Sequence, residues 1–202
     1  MTWIQTANGR AVDLVAPKPE SILAIDIAEH LAKLPRYNGA TPGAVYSVAQ
    51  HSCYAADIVF ARTQDRLFAA DALLHDAHEY VIGDDPSPKK RALIELGREL
   101  YGDAFAEQMK TVMQVMRRRV DEAIYSAFGM KFDLSAARAA SVHRVDVELL
   151  ETEKRDLMAP EPQPWFQTGV APLQGFNPVK GWSWELAQNS FMQRFRKYVE
   201  LR

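Results

Sequence analysis

The run His75-Asp76-Ala-His78-Glu79 gathers two imidazoles and two carboxylates within five residues. These side chains hold divalent transition metals, and a carboxylate beside such a site can act as general base or acid on water. The run closes an apolar stretch that begins at Ala69. It leads into Gly83-Asp84-Asp85-Pro86-Ser-Pro88, where glycine and proline interrupt helix. On a continuous helix, His75 and Glu79 stand at i and i+4 on one face, and Phe68, Ala72 and Ile82 extend that stripe. Asp76 stands about 100° further round. Ionisable groups on a face fit for burial need a partner or a metal, so further ligands are expected elsewhere in the chain.

Two residues meet that expectation. His51 shares a helical stripe with Val48, Ala55 and Ile58, which points it toward the core. Asp146 falls beside Val142, Val145 and Leu149 on a late helix, while its acidic neighbours Glu148, Glu151 and Glu153 read as a solvated face. His51, His75, Asp76 and Asp146 thus come from three helices and suit one divalent ion: Zn, Mn, Co, Fe or Mg. Such an ion polarises phosphoryl oxygen and acidifies bound water, and Glu79 is placed to move that water's proton. His30 and His143 read as structural, and Arg117-Arg-Arg119 as a solvated face.

The elements that position these groups are mostly helical. Asn8-Gly9 between alternating residues signals a β-hairpin over Trp3–Leu14. Ser21 is set to cap a helix ending near Leu34. A turn-rich loop, Pro35 to Gly43, carries the large polar pair Arg36 and Tyr37. Helices are predicted over 45–61 and 65–81, and from Pro88 to Phe128 with a break at Gly102. Two more are predicted over 134–158 and 182–199, the last with Trp182, Leu186 and Phe195 for packing. The prolines of 159–164 make that segment an extended arm. The reading is an all-α bundle with a small N-terminal hairpin and a C-terminal arm and helix. It is one domain over 1–202, with its core at about 21–158 and an extension over 159–202.

Composition narrows the function classes. The chain has 202 residues, 48% of them hydrophobic and 25% charged, an ordinary globular balance. A net charge of −2 offers no basic footprint for nucleic acid. The single cysteine, Cys53, excludes an internal disulfide and favours a cytoplasmic setting. No run approaches the length of a membrane span, and the first ten residues do not read as a signal peptide.

His51, then His75-Asp76, then Asp146 resembles the H…HD…D signature of HD-domain phosphohydrolases. The closer similarity is to bacterial and phage HD proteins of the 5′-deoxynucleotidase type. Tyr46-Ser-Val-Ala-Gln-His-Ser52 resembles that family's segment around its first histidine. The run from His75 to Lys90 resembles its HDxxE…GDxPxPxK pattern, and Arg36 with an aromatic neighbour precedes His51 by fifteen positions, as in the family. The resemblance covers roughly Arg36 to Asp156. It implies an HD-type helical fold and one divalent ion on His51, His75, Asp76 and Asp146. Glu79 and Asp84 would then act on water, and Arg36 and Lys90 would bind phosphate. Tyr37 stands where the family has a tryptophan near the sugar. His78 replaces a small polar residue and faces phosphate or a second ion. The implied activity is hydrolysis of (deoxy)nucleoside 5′-monophosphates. The alternatives are a deoxynucleoside triphosphate triphosphohydrolase and a cyclic-nucleotide phosphodiesterase. From another class comes a non-catalytic nucleotide-sensing module, against which the retention of Glu79 and Asp84 speaks. Homodimerisation is an expectation of the family.

Overall fold

The chain begins with the hairpin that Asn8-Gly9 marks. The computed structural model describes residues 1–132, 135–175 and 180–200. β1 (Trp3–Gln5) pairs antiparallel with β2 (Ala11–Asp13), Ile4 opposite Val12. Gly9, at φ +74°, turns the loop so that its N–H donates to the Thr6 carbonyl. Val12 is fully buried and enters the core. Asp26 anchors the loop: its carboxylate accepts from Thr6 Oγ1 (2.8 Å), the Asn8 N–H (3.0 Å) and Asn8 Nδ2 (2.8 Å).

α1 spans Ala24–Lys33. Ser21 does not cap it. Pro19, whose fixed φ suits the first position of a helical turn, starts a separate 3₁₀ turn over Pro19–Ser21, and Ser21 Oγ donates to the Lys18 carbonyl. The loop after α1 contains a 3₁₀ turn, Arg36–Gly39, with Tyr37 and Asn38 in the left-handed region at φ 57° and 52°. Its base is closed by the Arg36 N–H on the Tyr46 carbonyl (2.9 Å) and the Val48 N–H on the Leu34 carbonyl (3.0 Å). α2 (Val48–Thr63) starts where Ser47 Oγ accepts the Gln50 N–H.

The helix predicted over 65–81 is broken. α3 runs Arg66–Leu74, and α4 is a single turn, Glu79–Ile82. Between them the bonds are those of 3₁₀ turns: Ala77 N–H to Leu74, Glu79 N–H to Asp76, Tyr80 N–H to Ala77. In that tighter winding, i and i+3 side chains eclipse. Ligand atoms of Asp76, His78 and Glu79 accordingly lie within 4.8 Å of one another.

α5 (Ser87–Tyr101) and α6 (Asp103–Ala127) are separated by Gly102 at φ +87°. The expected break is a reversal: Gly97 lies against Phe105 and Met109, so α5 folds back on α6. α7 spans Ala136–Leu157 with Ser135 as its cap; the predicted start at Leu134 lies outside the described residues. α8 (Trp184–Phe195) continues into a π turn, Arg196–Glu200. Ala187, Ser190, Phe191 and Phe195 take its inward face, and Leu186, expected to pack, is half exposed.

The arm lies along its own chain. Thr168 Oγ1 donates to Glu151, the Leu173 N–H donates to Thr152 Oγ1, and Lys154 pairs with Glu161. Buried Gln50 then grips the returning backbone, donating to the Lys180 carbonyl (2.6 Å) and accepting the Trp182 N–H (2.9 Å).

The main core draws on the hairpin, α1, α2, α3, α6 and α8. A second seam, formed by Ala55, Val59, Ala72, Val142, Val145 and Leu149, joins α2, α3 and α7. His51, His75 and Asp146 each lie within four residues of that seam, so its packing sets their separation. No described helix is long and apolar enough to cross a membrane.

Replacing Asp26 by alanine strands three donors of the hairpin loop. The expected cost is about 2–4 kcal/mol in urea unfolding, with faster amide exchange at Asn8. A loss below about 0.5 kcal/mol would mean that the hairpin is held by Val12 alone.

Candidate metal centre

His51 and His75 face one another with ring centroids 5.3 Å apart. Their outer nitrogens are fixed. His51 Nδ1 lies 2.6 Å from Glu153 Oε1, and His75 Nδ1 lies 2.7 Å from the Ala72 carbonyl oxygen. Both partners are acceptors, so each Nδ1 carries the hydrogen and each Nε2 presents its lone pair. Both Nε2 atoms are buried and have no hydrogen-bond partner. Carboxylate oxygens nevertheless surround them. Asp146 Oδ1 is 3.2 Å from His51 Nε2 and 3.8 Å from His75 Nε2, and Asp76 Oδ2 is 3.1 Å from His75 Nε2. These atoms are close without being aligned for hydrogen bonds. That is the disposition of ligands around a common point, and His51, His75 and Asp76 form a group able to hold a metal ion.

The charges around that point are strongly coupled. Burial disfavours charge on His75, yet Asp76 and Asp146 outweigh it and raise its pKa well above the usual imidazole range. Burial likewise opposes ionisation of Asp76 and Asp146, but the facing imidazoles hold both well below the carboxylate range. A metal ion bound there would take the place of the imidazole protons.

Glu153 is the residue that sequence reasoning misplaced. Of the three acids expected on a solvated face, Glu151 is half-buried and Glu148 and Glu153 are buried. Glu148 pairs with Arg62 and Arg144, and Glu153 is wholly buried. Glu153 accepts from His51 Nδ1, Tyr46 Oη (2.7 Å), Tyr37 Oη (2.5 Å) and Arg36 Nε (3.2 Å). Burial would raise its pKa, but Arg36 and His51 bring it down to about 2. The signal was its spacing: Glu153 follows Asp146 by seven residues, two turns along the same face of α7. Tyr46 had no such signal.

The remaining predicted residues converge on the same place. The Arg36 Nη1 stands 3.4 Å from Asp76 Oδ2. Tyr37 commits its hydroxyl to Glu153, and its ring faces Trp165 at 6.2 Å. Glu79 Oε2 is buried without a partner, and burial, with Asp76 and Asp84 adding, pushes its pKa up to about 9. Asp84 is raised by burial, against the pull of Arg36 and Lys90. Lys90 therefore lies near Asp84, while its neighbour Lys89 pairs with Asp85. His78 is 6% exposed, and its Nδ1 is 3.1 Å from Asp121 Oδ1. Of the others, His143 is exposed. His30 ties the hairpin loop to α4 through the Ala7 N–H and the Tyr80 carbonyl. An open surface hollow of about 480 Å³ borders Glu79, lined also by His30, Lys33, Leu34 and Tyr80 to Gly83; His51, His75, Asp76 and Arg36 do not line it.

No protein-family model matches the sequence. The chain is similar to an uncharacterized protein of Rhodobacter capsulatus, 34% identical over 146 residues. The match takes in 70% of this chain and 64% of that protein, so the chain spans less than two thirds of that relative. It is also similar to the uncharacterized protein YfdR of Escherichia coli K12, 28% identical over 203 residues that cover 100% of this chain and 98% of that protein.

Glu153→Gln keeps the shape of the side chain and removes the charge that orients His51. Divalent-cation affinity is expected to fall about 10–100-fold, read by titration calorimetry with Mn or Zn. An unchanged affinity would mean that His51 is oriented without Glu153.

Proposed function

We propose that this chain is a metal-dependent phosphohydrolase that releases orthophosphate from (deoxy)nucleoside 5′-monophosphates. The observation that carries the reading is the pair of buried, partnerless imidazole Nε2 atoms turned toward Asp76 and Asp146, with the Arg36 guanidinium beside them. The residues fit a divalent ion held by His51, His75, Asp76 and Asp146. When bound, that ion supplies Lewis-acid polarisation and acidifies a water. The substrate class rests on the resemblance of the His75–Lys90 run and of Arg36 to the deoxynucleotidase pattern.

The chain's own residues have distinct tasks. Arg36 carries five N–H donors, of which Glu153 and Asp76 engage two. The others meet the phosphate oxygens and offset charge that develops on them. Lys90, at the start of α5, adds positive charge on the Asp84 side. Glu79 and Asp84 flank Asp76 and aim the attacking water. Glu79 holds a proton up to about pH 9 in the absence of a cation, so positive charge must first lower it before it accepts one. The water oxygen bonds to phosphorus as the ester P–O bond breaks, and the water's proton passes through the carboxylates to the leaving nucleoside oxygen. A direct displacement suits the site. Cys53 is buried, and burial pushes its thiol up to about 12, so it is no nucleophile.

The test is phosphate release from ribo- and deoxynucleoside mono- and triphosphates, after chelation and re-addition of Mn, Co, Zn or Mg. Orthophosphate from the deoxy monophosphates, restored by metal, is the expected result. Glu79→Gln is expected to lower kcat about 10²–10⁴-fold while the protein still binds a cation. Tripolyphosphate from triphosphates would move the chain to the triphosphohydrolase reading. No turnover with any metal, despite a bound ion, would overturn the enzyme reading.

A further inference from the structure

The arm between α7 and α8 carries two adjacent aromatic residues, Trp165 and Phe166. Lys154 pairs with Glu161, and Thr168 Oγ1 donates to Glu151. Residues 161–168 therefore form a loop tied at both ends to α7, at points about one turn apart. We propose that Trp165 and Phe166 form the wall against which the nucleobase of the substrate packs, Phe166 stacking on the base and Trp165 holding the pair in position. The proposal rests on the reading of the cluster as a nucleoside monophosphate site.

Three observations carry the wall. Trp165 is seated: its N–H donates to Glu161 (3.3 Å), Lys154 Nζ lies 5.4 Å from the centre of its ring, and the Tyr37 ring is 6.2 Å away. Tyr37 in turn has the Arg36 guanidinium 5.5 Å from its own ring centre. Phe166 meets a different element. The Arg91 guanidinium of α5 lies 5.5 Å from the centre of its ring, and Arg91 follows Lys90 in the chain. The two aromatic residues thus meet the immediate neighbours of both side chains assigned to phosphate, Arg36 and Lys90. The third observation is exposure. Phe166 is 74% exposed, more than any other large hydrophobic side chain except Met1 among the described residues.

A phosphate held between Arg36 and Lys90 leaves its nucleoside to extend along this loop. Every purine or pyrimidine has a π-face that stacks on an aromatic ring, whichever base it is. Arg91 over Phe166 adds a cation to the stack and leaves the exposed ring surface for the base. A loop already tied at both ends presents that surface with little ordering cost on binding. A bare pentose phosphate has nothing to stack. The wall therefore selects nucleotides over sugar phosphates without separating the bases.

Steady-state hydrolysis of deoxynucleoside monophosphates and of deoxyribose 5-phosphate, by the chain supplied with Mn, tests this. Phe166→Ala is expected to raise KM for the monophosphates about tenfold with kcat within about twofold. The preference for nucleotide over deoxyribose 5-phosphate falls with it, and Phe166→Trp is expected to keep that preference. Binding is read apart from turnover. A deoxynucleoside monophosphate is expected to quench the tryptophan fluorescence of the intact chain, and Trp165→Phe to remove most of that quenching. A preference unchanged in Phe166→Ala, or an equal loss on both substrates, would overturn the wall and leave the phosphohydrolase reading standing. Quenching without turnover in the intact chain, lost in Trp165→Phe, would overturn the enzyme reading and support the wall as a nucleotide-binding feature. Neither turnover nor quenching in the intact chain would overturn both.

Discussion

Glu153 is fully buried, and a buried carboxylate persists only where its charge and lone pairs are met. Here the partners come from α2 and the loop before it: His51, Arg36, Tyr37 and Tyr46. This one requirement ties α7 to α2 and fixes the loop between α1 and α2. It also decides which nitrogen of His51 carries hydrogen, and so which nitrogen faces Asp146. Arg36 is shared between Glu153 and Asp76, which couples the buried anchor to the face where chemistry is proposed.

The break after Leu74 is the second determinant. A straight helix would have carried His75 and Glu79 up one face and left Asp76 to the side. The 3₁₀ turns instead place Asp76 within 4.8 Å of ligand-type atoms of His51 and His75 and of His78 and Glu79. The loss of regular α-helical bonding there is offset by packing. Ala77, Tyr80 and Val81 are buried on the core side of the turn, and the Tyr80 carbonyl is met by His30. Gly83, at φ +92°, then ends α4 and directs Asp84 back toward the cluster.

Parts remote from the cluster support it indirectly. The N-terminal hairpin, pinned by Asp26, reaches α4 through His30. The C-terminal arm passes along α7 and is caught by Gln50, one residue before His51. Gly181 comes so close to the loop before α2 that a Cβ there would clash with the Val45 carbonyl oxygen. The arm thus closes over the same loop that carries Arg36, Tyr37 and Tyr46.

The helices predicted over 45–61 and 134–158, found at Val48–Thr63 and Ala136–Leu157, the hairpin, the break at Gly102 and the inward face of His51 were readable from spacing alone. Hydrophobic period and glycine or proline punctuation are local properties, and local backbone geometry obeys them. The convergence of Arg36, His51, His75, Asp76 and Asp146 was readable as a pattern of residue types. Three features were not readable. The helix through His75 looked continuous because no glycine or proline interrupts it before Gly83; Ala77 and Tyr80 are buried on the core side of the tighter turn. Glu153 looked solvated because its neighbours in sequence are charged, while the groups that neutralise it lie more than a hundred residues away. The pairing of His78 with Asp121 depends on α6 crossing behind the turn. Sequence by itself determined the helical bundle and the inventory of candidate ligands. Tertiary structure decided which acid is buried, which imidazole nitrogen faces inward and which carboxylate is shared. Those choices depend on long-range charge compensation in a desolvated interior, which no local window contains.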